Sequence, residues 1–274
     1  MADEEKTLKA LRKEIFLTGW RGGMAHLASC FSCLEIVYTL YCKDVLRIDA
    51  QNARWRDRDR FILSKGHGGL ALYAVLAHRG LISWETFHSY LQDDARIGGE
   101  PCTRDCEWIE ATTGSLGHGL SVGVGMAKAL KLSGSGAKVY VLLGDGECAE
   151  GTVWEAVSSA GALGLDNLVA ILDRNGLQKT DRVQKTFGTE NWRERIEPFG
   201  WQVREADGHD VPALRAALTE PAEPGKPLFV IARTVKGKGV SIMENSPNWH
   251  FRLPNRKELK VFREELGIDD AEME

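Results

Sequence analysis

At 274 residues, with 43% hydrophobic and 27% charged residues, the chain can bury one large α/β core or two small ones. Its 35 basic and 39 acidic residues give a net charge of −4 without a long basic run, which argues against nucleic acid and anionic membranes as partners. The charged amino terminus lacks the apolar segment of a signal peptide and no stretch approaches a membrane span, so the expected compartment is the cytoplasm.

In chain order, Leu8, Leu11 and Ile15 mark one face of an opening helix, and Cys33 to Tyr41 reads as a second. Arg54 to Arg60 (RWRDRDR) is expected to be a solvated mixed-charge loop before a strand at Phe61-Ile62-Leu63. Gly69 to Leu81 has the pattern of a buried helix, and Ser83 to Glu110 is polar and irregular. A glycine-rich helix over 116–132 is followed by a Ser-Gly-Ser-Gly turn and a strand at Val139–Leu143. Val153, Trp154, Val157 and Ala160 predict a helix over 152–163, and Leu168 to Asp173 reads as the next strand. A proline-rich loop over 221–227 precedes a central strand at Leu228–Ala232, and an acidic helix runs from Arg256 to Glu265. These elements predict one doubly wound α/β domain with a mostly parallel sheet flanked by helices over the whole chain.

Cys30 and Cys33, with Cys102 and Cys106, have spacings that could be taken for halves of a zinc site. The first pair lies in an apolar stretch where cysteine acts as a small hydrophobe, so neither zinc nor a disulfide is expected.

The chemistry concentrates around Gly144-Asp145-Gly146 and Asn175, which close the strands on either side of the 152–163 helix. A strand–helix–strand unit puts Asp145 and Asn175 at the carboxyl ends of neighbouring parallel strands, where open sheets bind ligands. A carboxylate and an amide carbonyl there are hard oxygen donors suited to Mg²⁺ or Ca²⁺ and, through the metal, to phosphates. Taken alone, the glycine triplet reads as an ordinary turn. With Asn175 it reads as half of a clamp, in which Gly146 lets the backbone approach an anion.

The string from Gly144 to Gln178 resembles the thiamine diphosphate motif of the transketolase family. So do Ser64-Lys65-Gly66-His67-Gly68, the run from Thr112 to Leu120, Phe199-Gly200-Trp201, Asp207-Gly208-His209-Asp210 and the run from Thr234 to Gly239, in the family's order. The resemblance implies thiamine diphosphate and Mg²⁺ (or Ca²⁺) as cofactors, with Asp145, Asn175 and the Leu177 carbonyl as metal ligands. It places His67, Gly146, Glu147, Asn175, His250 and the Gly114-Ser115-Leu116 loop around the cofactor. His26 matches a histidine that approaches the reacting carbon and substrate hydroxyls, and His250 one lining the cofactor and substrate channel. Each histidine has the alternative of a hydrogen-bonded structural role. Glu150 matches a carboxylate at the interface between active sites, against the alternative of an exposed glutamate at a helix start.

In this family the glutamate that activates the cofactor lies on a pyrimidine-binding domain, for which this chain has no matching segment. The implied protein is therefore a stand-alone N-terminal subunit of a split transketolase, paired with a second subunit in a heterotetramer. The expected reaction is transfer of a two-carbon ketol unit from a sugar-phosphate-type ketose to an acceptor. An alternative acceptor is a lipoyl or carrier-protein thiol, and an alternative of another class is a non-catalytic assembly subunit. One departure bears on substrate: Gly98-Gly99-Glu100-Pro101 carries Glu100 where the family commonly has histidine. Either Glu100 contacts an unusual substrate, or the loop is displaced and Glu100 lies in solvent.

Overall fold

A computed structural model describes residues 2–188 and 191–273. Five strands form one sheet: β1 (Arg60–Leu63), β2 (Val139–Gly144), β3 (Leu168–Arg174), β4 (Gln202–Asp207) and β5 (Leu228–Arg233). Their order is β1-β2-β3-β5-β4, and every pair is parallel. The aliphatic runs form strands because both faces are covered, so successive side chains enter two different cores. Tyr140, Leu142, Val169 and Ile171 join one core, while Val139, Val141, Leu168 and Ala170 join the other.

The first core is closed by α1 (Ala2–Arg21), α2 (Leu27–Cys42), α3 (Gly69–His78), α9 (Val211–Thr219) and α10 (Arg256–Leu266). The second is closed by α5 (His118–Leu132), α6 (Gly151–Ala162) and α8 (Trp192–Ile196). Two short helices, α4 (Trp84–His88) and α7 (Val183–Phe187), lie in the connections. The chain steps outward to β4 and returns through α9, on the opposite face, to insert β5 between β3 and β4. Right-handed crossovers require that change of face when the direction reverses, and the reversal opens a crevice at the carboxyl ends of the strands.

Several expectations need correction. The second helix starts at Leu27, not Cys33, and all but its last residue are buried. The polar segment 83–110 contains α4, started by Ser83, whose hydroxyl accepts the Thr86 N–H at 3.0 Å. RWRDRDR is not wholly solvated: Arg58 and Asp59 are buried. Arg58 pairs with Glu110, and the Asp59 carboxylate accepts the Arg47 and Lys138 N–H groups at 2.8 and 2.7 Å. These contacts tie the loop to the start of β2. Strand β4 and helix α9 lay outside the sequence expectation. β4 is a half-exposed edge carrying Arg204 and Glu205, and α9 is capped by Asp210, which accepts the Ala213 N–H at 3.0 Å.

Gly161 is the point where α6 meets the turn before β4. A Cβ there would overlap the Phe199 carbonyl, a backbone atom that cannot swing away. Gly161→Ala is expected to destabilise the protein by about 1–3 kcal/mol in denaturant unfolding, the usual range for overpacking. An unchanged midpoint would show that the α6–turn contact is soft.

Candidate functional site

Four strand ends and two distant segments build the site. The turn after β1 carries Lys65 and His67; β2 delivers Asp145; the loop after β3 carries Asn175 and Leu177; and the chain leaving β5 carries Thr234 and Lys236. His26 immediately precedes α2, and His250 follows the short turn Pro247–Trp249. The strand-end loops and His250 enclose a cavity of about 310 Å³ lined by His67, Leu116, Asp145, Asn175, Lys236 and His250, among others.

Its floor is a buried ion pair. Lys65 and Asp173 are 1% and 0% exposed and bonded to each other, and the Asp173 carboxylate also accepts from the Ser32 hydroxyl at 2.7 Å and from that of Thr234. Burial alone would raise the Asp173 pKa, but the Lys65 charge and these donors outweigh it and hold the group below its ordinary value. The Lys65 ammonium also donates to the Ser29 carbonyl at 3.2 Å.

Above this floor sit two charges with no counter-ion among the described residues. Asp145 is 3% exposed and accepts the Gly176 N–H, and Lys236 is 2% exposed and bonds His250 Nδ1 at 3.0 Å. Neither belongs to any of the described ion pairs. Burial pushes Asp145 up to about 6 and Lys236 down to about 8.

The three predicted histidines converge. The ring of His26 lies 5.6 Å from that of His67 and 5.4 Å from that of His250, and His67 lies 5.5 Å from His250. Burial lowers His26 to about 4 and His250 to about 3, with the Lys236 charge adding to both, and it takes His67 well below its ordinary value. All three are neutral at pH 7. Because the Lys236 ammonium has only donors, His250 Nδ1 is the acceptor, which leaves the proton on Nε2.

Other predicted residues are held in defined places. Asn175 Oδ1 accepts the Leu177 N–H at 3.0 Å, and both residues line the cavity beside Asp145. Gly146 lines the cavity, and a Cβ there would fall 2.6 Å from Gln178 Cβ, so packing against the post-β3 loop also calls for glycine. Glu147 lines the cavity wall, but its carboxylate accepts from the Ser64 hydroxyl and, at 2.9 Å each, from the Gly117 and Gly144 N–H groups, strapping three turns together. Gly114 has φ 132°, and a Cβ there would overlap the carboxylate of Glu100. Glu100 therefore leans on the Gly114 turn although it is largely exposed, and burial raises its pKa. Ser115 is exposed beside Leu116. Glu150 is exposed at the start of α6, makes no cap bond, and reaches the cavity rim. Of the α5 glycines, 119 and 123 face Ser64 and Val141 closely, whereas Gly125 meets open space.

Sequence reasoning did not assign Lys236, Lys65 or Ser32 to the site. The two lysines lay in blocks already singled out, but a buried lysine and a surface lysine look alike in sequence. Cys30 and Cys33 are buried, and burial pushes their thiols up to about 11 and about 12. No helix is long and apolar enough to cross a membrane among the described residues.

The family described as "Transketolase, thiamine diphosphate binding domain" matches residues 20–274. The chain belongs to this family. It is 39% identical over 265 residues to one of the subunits of the apulose-4-phosphate transketolase of Actinobacillus succinogenes, covering 96% of this chain and 95% of that one. It is 37% identical over 223 residues to one from the 6-deoxy-6-sulfo-D-fructose transketolase of a Clostridium species, covering 81% of each. A solved transketolase from Campylobacter jejuni superposes with a TM-score of 0.84 at 28% identity over 96% of this chain, which spans only 43% of that one. This transketolase-family chain thus corresponds to part of that longer enzyme.

The neutral histidines give a pH signature in the ligand-free protein. His26 and His250 ionise near their ordinary value of 6.5 when unfolded but near 4 and 3 in the site, and His67 is shifted in the same direction, so below pH 6.5 the unfolded state binds more protons. Stability is expected to be level above pH 6.5 with respect to these groups and to fall as pH drops towards 4. His26→Asn should reduce that slope in melting temperatures taken across the window; an unaltered slope would place the acid sensitivity elsewhere.

Proposed function

We propose that this chain holds the diphosphate and metal half of a composite site for thiamine diphosphate-dependent ketol transfer, working with a second subunit. The observation that carries this reading is the pair of buried, uncompensated charges, Asp145 and Lys236, facing one cavity. A ligand that brings a divalent cation and an anion together satisfies both, and a metal-bound diphosphate is such a ligand. The donor set fits: Asp145, Asn175 Oδ1 and the Leu177 carbonyl are hard oxygens that would hold Mg²⁺ or Ca²⁺. Lys236 and His67 would take the diphosphate oxygens, and the Gly114–Leu116 turn would lie along the organic rings.

What the cofactor supplies when bound is a nucleophilic carbon and an electron sink for cleaving a ketose. The chain's own part is to orient the donor and manage protons. His250, with its proton on Nε2, can donate to a substrate oxygen or developing oxyanion, and His26, kept neutral by burial, can exchange hydrogen bonds with a substrate hydroxyl near neutral pH. Glu100, leaning on the Gly114 turn, would meet the donor and disfavour an anionic group near its carbon to be transferred. The relatives' names support phosphorylated or sulfonated ketoses as the substrate class, with the charge at the end remote from the transferred unit.

Met24 and Phe251 are 44% and 48% exposed, and Phe251, its ring 4.4 Å from that of His26, makes an apolar rim there. The reading has the partner's pyrimidine-binding domain and activating glutamate cover this rim, in a heterotetramer with Glu150 near the junction of two sites.

Two measurements test this. In calorimetry with Mg²⁺ and pyrophosphate, the chain should bind, and affinity should fall as pH rises through about 8, where Lys236 loses its charge. Lys236→Met should weaken binding at pH 7 by roughly tenfold or more, the cost of a lost charge-assisted contact, and abolish that pH dependence. Ketose turnover should need the co-expressed partner subunit; full turnover by the chain alone would refute the split site. With the pair in hand, Glu100→Gln should shift donor KM while Mg²⁺–pyrophosphate affinity stays unchanged, and identical donor kinetics would remove Glu100 from the substrate.

A further inference from the structure

Asn175 presents a problem of orientation. The two ends of a carboxamide are nearly the same shape, but only the oxygen can ligate a cation; reversed, the amide would aim two N–H donors at it. Sequence cannot decide between these states, so neighbouring hydrogen bonds must.

The structure supplies a directed chain of such bonds. Lys65 is ion-paired to Asp173, which makes the Asp173 carboxylate an acceptor. Ser32 on α2, fully buried, donates its only hydroxyl proton to Asp173 Oδ1 at 2.7 Å. The Thr234 hydroxyl donates to the same oxygen. With its proton committed, the Ser32 oxygen offers lone pairs to Asn175 Nδ2, which donates to it at 3.1 Å. At the other end of the amide, the Leu177 N–H donates to Asn175 Oδ1 at 3.0 Å, so both ends agree on the same orientation. An sp² oxygen holding one N–H bond retains a second lone pair.

We propose that Ser32 is a positioning residue that locks the Asn175 amide with Oδ1, and not Nδ2, turned to the divalent cation. The proposal rests on the reading of Asn175 as a metal ligand. Ser32 does not touch the metal; it acts through the amide, as the outer hydrogen-bond partners of metal ligands do. The arrangement also links the floor of the site to its metal side, because the polarity of Ser32 is set by the Lys65–Asp173 pair.

The test is Mn²⁺ binding to the full chain in the presence of inorganic pyrophosphate, read from the electron paramagnetic resonance signal of free Mn²⁺. Ser32→Ala removes the acceptor while Asp173 keeps Lys65 and Thr234, and should weaken Mn²⁺ binding about tenfold, the low end for loss of such a partner. Ser32→Cys, close in volume and a poor acceptor, should also weaken it and covers the case in which the alanine variant does not fold. In an Asn175→Asp background the ligand has two equivalent oxygens and no orientation to fix, so Ser32→Ala should then cost less than about twofold. Wild-type affinity in both Ser32 variants, or an equal loss in the Asn175→Asp background, would overturn the positioning role. Unchanged Mn²⁺ affinity in Asn175→Ala would instead overturn the reading of Asn175 as a ligand.

Discussion

The buried ion pair between Lys65 and Asp173 is the constraint on which the site depends. It joins the turn after β1 to the last residues of β3, while Ser32 brings in α2 and Thr234 brings in the chain leaving β5. Removing two charges from water is expensive, and only dense hydrogen bonding makes such a pair tolerable. Here the carboxylate has three protein donors and the ammonium reaches a backbone carbonyl. Replacing it with apolar side chains would keep the volume but lose the directionality that sets each loop relative to the next.

On that rigid base the protein leaves other charges uncompensated. Asp145 and Lys236 are nearly as buried as the floor pair but have no ionic partner among the described residues. Together they hold complementary unmet demand, one for a cation and one for an anion. The glutamate strap at Glu147 works in the opposite sense, with its own demand met internally so that the turns around the cavity stay closed. A second buried network, in which Arg12 pairs with Glu35 and Glu35 with His209, sits behind the Lys236 loop, where His209 Nε2 accepts the Val235 N–H at 2.8 Å. These polar contacts hold the loops around the site in place.

The parts of the fold visible in sequence were those whose burial is two-sided. β2, β3 and β5 are continuous aliphatic runs because helices cover both of their faces. β4 escaped notice because an edge strand with one wet face carries Arg204 and Glu205 and loses the apolar signal. The partial burial of RWRDRDR is hidden for a related reason: composition shows charge, but not that Arg58 will find Glu110 across a long stretch of chain. For the site, Asp145 and Asn175 were legible because their positions follow from strand ends, whereas the close approach of Gln178 to Gly146 depends on how the post-β3 loop folds back.

By itself the sequence determined the parallel α/β architecture, the hard-oxygen pair at two strand ends and the family to which the motifs belong. Those features are local, set by periodicity and by residues close together along the chain. Only the tertiary structure decided that His26, His67 and His250 meet as one neutral triangle, that Lys236 is buried without a carboxylate, and that Ser32 stands behind Asn175. The reason is physical. Protonation state and amide orientation depend on desolvation and on partners brought together from remote segments, and neither exists until the helices have closed over the sheet.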